Sequence, residues 1–84
     1  MQSSISKIIQ EVLKKYRLSQ LLSQEKLAEK AGLDRTYISG FERGIRNISL
    51  LSLEKILDGL DLTYNKFFNL CLSELGVNND EKSV

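Results

Sequence analysis

The sequence predicts an all-α protein of five helices. Its apolar residues recur at spacings of three and four rather than alternating, and this is the period of a helix. The 84 residues include no proline and only five glycines, so few positions interrupt a helix. A chain of this length forms one small domain whose core is marginal by itself, and we therefore expect self-association.

The first two helices follow from an apolar stripe and from capping residues. The first is predicted over residues 4–19, where one side carries Ile5, Ile8, Ile9, Val12, Leu13 and Tyr16. The second, residues 24–31, follows Ser23, whose hydroxyl can cap the free N–H groups of a helix start. It ends before Gly32, which easily adopts a left-handed backbone.

The third helix, residues 35–41, follows a turn filled by Leu33, and Asp34 is its predicted cap. Ile38 and Phe41 are predicted to point inward. The outward residues are then Arg35, Thr36, Tyr37, Ser39 and Gly40. In a helix-turn-helix, the outward side chains at the start of the second helix reach base edges in the major groove of DNA. The pattern therefore predicts a DNA-binding site, and the alternative is a pair of core helices without a partner.

A polar loop over residues 43–48 leads to the fourth helix, residues 50–60, which Ser49 is predicted to cap. Its inward face at helical spacing is formed by Leu53, Ile56, Leu57 and Leu60.

The fifth helix, residues 64–75, is predicted to begin after Thr63 and to end at Gly76. Its apolar residues cover more than one face, so part should pack in the core and the surplus is a candidate dimer interface. The predicted interface residues are Tyr64, Phe67, Phe68, Cys71 and Leu75. The alternative is that all of them belong to the core. We place one domain over residues 1–76, followed by a frayed polar tail, residues 77–84.

The charge is small overall but unevenly distributed. The chain carries a net charge of +1, which is weak for a nucleic-acid-binding protein. Residues 1–46 hold nine bases against five acids, whereas the remainder holds three against six. The predicted motif lies in the basic part, so one face could meet DNA phosphates while the other repels them. An ordinary solvated surface with chance asymmetry is the alternative.

Several functional classes find little support in the composition. The chain has no histidine, and its single cysteine, Cys71, lies in an apolar stretch that does not favour a reactive thiolate. We therefore expect no enzyme, no metal site and no cofactor. We find no apolar run long enough to span a membrane and no signal-peptide pattern at the N-terminus. One cysteine cannot form an internal disulfide, which suits a reducing cytoplasm.

The stretch from Tyr16 to Leu62 resembles the phage repressor and Cro type of helix-turn-helix, also called the XRE family. The string LDRTYISGFERGIRNISLLSLEKIL resembles, more narrowly, the controller proteins of type II restriction–modification systems. The resemblance implies that Arg35, Thr36, Tyr37 and Arg46 contact bases. The candidate phosphate contacts are Gln24, Ser39, Arg43, Asn47, Ser49 and Ser52. The resemblance also implies a structural ion pair between Arg17 and Glu42. A departure is Leu21-Leu22, where such proteins often carry a glycine.

The resemblance also implies a function. The chain is expected to bind palindromic operator DNA as a homodimer, with pairs of dimers binding cooperatively and with RNA polymerase as a further partner. It would control its own gene and a restriction endonuclease gene, by activation at low concentration and repression at high concentration. The alternatives are a phage or plasmid repressor of the same fold and, from a different class, an antitoxin or protein-interaction module.

Overall fold

A computed structural model describes residues 4–79, and this part of the chain is entirely helical apart from the connections. The helices are α1 (Ser4–Ser19), α2 (Gln24–Ala31), α3 (Arg35–Glu42), α4 (Leu50–Gly59) and α5 (Tyr64–Asn79). The prediction of an all-α fold is confirmed. No helix within the described range is long and apolar enough to cross a membrane.

Three of the connections between helices contain the same type of three-residue turn. Each consists of a left-handed residue, a leucine and the N-cap of the next helix. The left-handed residues are Leu21 (φ 59°), Gly32 (φ 71°) and Asp61 (φ 54°). The leucine N–H donates to a carbonyl five residues earlier, as from Leu22 to Arg17, Leu33 to Ala28 and Leu62 to Leu57. These are Schellman motifs, in which the apolar residue packs back on the helix that it ends.

The predicted N-caps are present at three helices and differ at a fourth. The hydroxyls of Ser23, Ser49 and Thr63 accept N–H bonds from Lys26, Ser52 and Lys66, respectively. Asp34 occupies the N-cap position of α3, but its side chain makes no capping hydrogen bond. The Tyr37 N–H that such a cap would accept donates instead to the main-chain oxygen of Asp34, at 3.0 Å. The prediction that the Asp34 side chain caps α3 was therefore wrong.

The end of α5 also differs from the prediction. The helix continues through Gly76 to Asn79, so Gly76 does not end it and the first residues of the predicted tail are helical. A glycine inside a helix costs only about 1 kcal/mol relative to alanine, and the helix can continue through it. Residues 80–84, the remainder of the predicted tail, lie outside the described residues.

Helices α2 and α4 cross closely because a glycine lies at the crossing. A Cβ atom on Gly59 would lie 3.0 Å from the main-chain nitrogen of Ala31, a tighter contact than most real Cβ atoms make, so the neighbouring helix would have to move by a few tenths of an ångström. Gly59 and Ala31 are both buried. The surrounding core is formed by Val12, Leu13, Leu27, Ala28, Ile38, Phe41, Ile56, Leu57, Leu60, Leu62 and Phe67. A small residue at this point therefore lets α2 and α4 share one core.

A buried ion pair connects α1 to the end of α3. Arg17 donates through Nε to Glu42 Oε2 at 2.6 Å and through Nη2 to Oε1 at 2.9 Å. The two side chains are only 7% and 3% exposed. Arg17 Nη1 also donates to the Leu22 carbonyl, Gln24 Nε2 donates to Glu42 Oε1, and Gln10 Nε2 donates to the Glu42 carbonyl. The network satisfies both charges and fixes α3 relative to α1 and α2.

Candidate nucleic-acid interface

The first turn of α3 presents two exposed polar side chains, Arg35 and Thr36. Arg35 lines a shallow cleft between α2 and α3 together with Ser23 and Lys26. Glu25, Glu29 and Asp34 line the same cleft, so acids outnumber bases there. The excess of carboxylates makes the cleft itself unsuitable for a phosphate. The exposed guanidinium of Arg35 can instead donate hydrogen bonds to the edge of a nucleobase.

The positive charge lies instead in the loop after α3. Gly44 has a left-handed backbone (φ 78°), and the N–H groups of Ile45 and Arg46 both donate to the Gly40 carbonyl, at 2.9 and 3.3 Å. The loop is thereby folded back against the last turn of α3. Arg43, Arg46 and Asn47 are exposed on it.

Arg46 lies over the outer face of α3. Its guanidinium carbon is 5.0 Å from the centre of the Tyr37 ring, a cation–π arrangement. The Tyr37 hydroxyl lies 3.5 Å from the Ser49 N–H at the start of α4. Gly40 is buried, and a Cβ atom there would lie 3.8 Å from Arg46 Cβ. Gly40 therefore lies on the outer face of α3, as predicted, but the loop covers it and leaves it buried.

The predicted phosphate contacts fall into two groups. Arg43, Asn47 and Ser49 are exposed and Ser39 is half-buried, all of them near the Arg46 loop in the chain. Ser52 is only 9% exposed, so little of its side chain is accessible, and its phosphate contact stays a prediction. The reason for the low exposure is the helical period, since Ser52 shares the inward face of α4 with Ile56. The Gln24 amide nitrogen is already bonded to Glu42, so the free N–H groups at the start of α2 are better available to a phosphate.

The predicted interface on α5 is partly corrected. Phe67 is 2% exposed and belongs to the core, whereas its neighbour Phe68 is 58% exposed. Tyr64 and Leu75 are exposed as well, and Cys71 is half-buried. The exposed leucines Leu50, Leu51 and Leu72 were not among the predicted interface residues. The available signal was that neither Leu50 nor Leu51 belongs to the inward face predicted for α4.

The exposed apolar residues of α4 and α5 form one continuous surface. Leu50, Tyr64 and Phe68 line the same groove between the two helices. Leu72 follows Phe68 by four residues and so extends the stripe along α5. We call the set Leu50, Tyr64, Phe68 and Leu72 the α4–α5 apolar surface.

Cys71 has the environment of an inert thiol. Partial burial raises the pKa of the Cys71 thiol above its ordinary value, and the negative charge of Glu74 raises it further. A raised pKa keeps the sulfur protonated near neutral pH, and the protonated form is a poor nucleophile and metal ligand. Among residues 4–79, no cluster of three or more His, Cys, Asp or Glu side chains is arranged to hold a metal ion.

Comparison with known proteins assigns the family. Residues 13–67 match the sequence pattern of the family described as Helix-turn-helix. The control protein C.MunI from a Mycoplasma species is 50% identical over 58 residues, or 68% of this chain and 78% of that protein. This chain is a controller protein of the helix-turn-helix family. The resemblance inferred from LDRTYIS and the residues after it is thereby confirmed.

The likeness to controller proteins extends to α5, most of which lies outside the family pattern. The control protein C.SmaI from Serratia marcescens is 38% identical over 77 residues, or 92% of this chain and 87% of that protein. The restriction–modification controller C.Esp1396I, solved as a tetramer in complex with its natural 35-base-pair operator, matches with a TM-score of 0.85 at 43% identity. The match covers 88% of this chain and 97% of that one. All five helices therefore belong to the controller fold.

Proposed function

We propose that this controller protein binds operator DNA as a homodimer and regulates transcription of its own gene and of a restriction endonuclease gene. The observation that carries the proposal is the exposed first turn of α3, with Arg35 and Thr36, beside the folded-back loop that exposes Arg43, Arg46 and Asn47. An α-helix start fits the major groove of DNA, and a neighbouring basic loop can meet the phosphates that border it.

The residue chemistry suggests a division of roles. Arg35 carries a planar fork that can bond O6 and N7 of guanine at once, and Thr36 offers a hydroxyl and a methyl group to the next base. Arg43 and Asn47 can contact phosphates, which set the register of a protein on DNA without reading its sequence. The N–H groups at the start of α4, beside Ser49, add an anion-binding end.

The α4–α5 apolar surface supports the dimer. Four large side chains, each more than half exposed and continuous across two helices, form an apolar patch suited to an interface. A second copy of the chain could cover this patch through a two-fold interface. Such a dimer would present two recognition helices to half-sites about 34 Å apart, one turn of DNA.

The resemblance to controller proteins implies a regulatory scheme that depends on the concentration of the protein. At low concentration one dimer would occupy a distal operator and help to recruit RNA polymerase, so that both genes are switched on. At higher concentration a second dimer would bind cooperatively over the promoter and repress it. The tetramer that C.Esp1396I forms on its natural operator supports this arrangement of two dimers. The delay before the endonuclease accumulates would let a methyltransferase protect the host DNA first.

The direct test is Arg35→Ala. Because Arg35 is exposed at the start of α3, the variant should bind operator DNA at least about tenfold more weakly, whereas binding to random DNA should fall much less. Mobility shifts with the DNA upstream of the protein's own gene measure both affinities. Lys30→Ala is the control, because it removes one positive charge at the far end of α2, near Gly59 and Asp61. An equal loss on both DNAs would make Arg35 a phosphate contact only.

Salt dependence tests the electrostatic part of the interface. The affinity of the wild-type protein should fall steeply as salt rises, because phosphate contacts release counterions. Arg43→Ala should reduce the slope of log K against log salt by about one without changing the preferred sequence. Titrations at several salt concentrations give the slope. A wild-type slope near zero would argue against any role of the basic loop.

A further inference from the structure

Tyr37 and Arg46 form a pair that links the recognition helix to the loop after it. We propose that Tyr37 is a positioning residue that holds the Arg46 guanidinium along the outer face of α3 before DNA arrives. This inference rests on the proposed function, because it assigns the way in which Arg46 reaches a base. It adds a role for Tyr37 to its predicted contact with DNA.

Three features restrain Arg46. Its main-chain N–H donates to the Gly40 carbonyl at 3.3 Å, which fixes the start of the side chain. Its Cβ and Nε atoms lie 3.8 and 3.9 Å from the position that a Cβ atom on Gly40 would occupy. The Arg46 side chain therefore crosses α3 at Gly40, where the helix has no side chain. Its guanidinium then lies over the Tyr37 ring, at 5.0 Å from the ring centre. Gly40 and Tyr37 are three residues apart and so lie on one face of α3.

The stack is compatible with base recognition. A guanidinium stacks through its flat face, whereas its N–H donors point outward in the plane of the group. Arg46 can therefore remain on the Tyr37 ring while its edge bonds to a guanine. A mobile arginine side chain loses conformational entropy when it binds DNA. A stacked side chain is already ordered and loses less, so the stack should raise the affinity for DNA.

The ring of Tyr37, and not its hydroxyl, makes the contact with the Arg46 guanidinium. The Oη atom lies beside the Ser49 N–H, 3.5 Å away, and so is directed toward the backbone at the start of α4. Tyr37→Phe keeps the ring and should therefore keep the stack. Tyr37→Leu removes the aromatic face and should release Arg46.

A double-mutant cycle tests the coupling. The probe is a DNA duplex that the wild-type protein selects from a randomised pool, and affinities are measured for Tyr37→Leu, Arg46→Ala and the double variant. Stacking of an exposed cation on a ring predicts a combined loss that is about threefold to fivefold smaller than the product of the single losses. Tyr37→Phe, which keeps the ring, should lose less affinity than Tyr37→Leu. The control cycle pairs Tyr37→Leu with Arg43→Ala, in the same loop, and should be multiplicative within about twofold.

Nuclear magnetic resonance of the free protein tests the stack without DNA. The side-chain protons of Arg46 should show an upfield ring-current shift in the wild type and in Tyr37→Phe, and should lose it in Tyr37→Leu while circular dichroism stays helical. Retention of the shift in Tyr37→Leu, or a multiplicative Tyr37–Arg46 cycle, would overturn the positioning role alone. If the wild-type protein selects no sequence at all, the proposed function fails, and the positioning role fails with it.

Discussion

Phe68→Asp should convert the proposed homodimer into a folded monomer. Phe68 is 58% exposed in the single chain and lines the groove between α4 and α5 with Leu50 and Tyr64. If this surface forms a two-fold interface, the new carboxylate is buried unpaired twice in each dimer. Each unpaired buried charge costs several kcal/mol, so dimerisation should weaken at least about a hundredfold. Sedimentation should report a monomer with unchanged helical circular dichroism, and cooperative occupancy of a palindromic operator should be lost.

The neighbouring phenylalanine provides the contrast for this experiment. Phe67 is 2% exposed, and Phe67→Asp should unfold the domain rather than separate two copies. Ser73→Asp places the same charge on an exposed position of α5 that borders the α1–α5 groove instead, beside Val12 and Leu70. This variant should remain a dimer. If both Phe68→Asp and Leu72→Asp sediment as folded dimers, the α4–α5 apolar surface is not the interface.

Glu42→Gln should destabilise the protein by about 3–5 kcal/mol, because it leaves the Arg17 charge buried without a partner. Arg17 directs both Nε and Nη2 at the Glu42 carboxylate, and its side chain is only 7% exposed. The control is a Glu→Gln substitution in a solvent-exposed ion pair. Glu29 is 71% exposed beside Lys26, and Glu29→Gln should change stability by no more than about 0.5 kcal/mol.

Urea unfolding measures both variants, at one protomer concentration because the stability of a dimer depends on that concentration. A loss below about 1 kcal/mol for Glu42→Gln would contradict the account of the pair as the link that holds α3 on α1. Because Glu42 is the last residue of α3, the variant should also bind operator DNA more weakly under conditions in which it remains folded.

The helices and most of their ends could be predicted from the sequence because their causes are local. A hydroxyl at Ser23, Ser49 or Thr63 accepts an N–H three residues later in the chain. Gly32 has no side chain and therefore adopts the left-handed backbone at a lower cost than Leu21 and Asp61 do in the equivalent turns. The exposed start of α3 follows from the helical period, since Ile38 and Phe41 must both face the core. The family could be inferred as well, because its motif is a continuous string.

The remaining features depended on contacts between segments that are distant in the chain or joined by an irregular loop. The period alone could not decide between Phe67 and Phe68, because α5 is apolar on more than one side and only its packing chooses which ring is buried. The place of Arg46 over Tyr37 needed the loop conformation that Gly44 and the Gly40 carbonyl set. The sequence by itself thus determined the helices, the motif and the residues that could meet DNA. The tertiary structure decided which of those side chains are free and which are held by a neighbour, because burial and stacking are properties of packed segments.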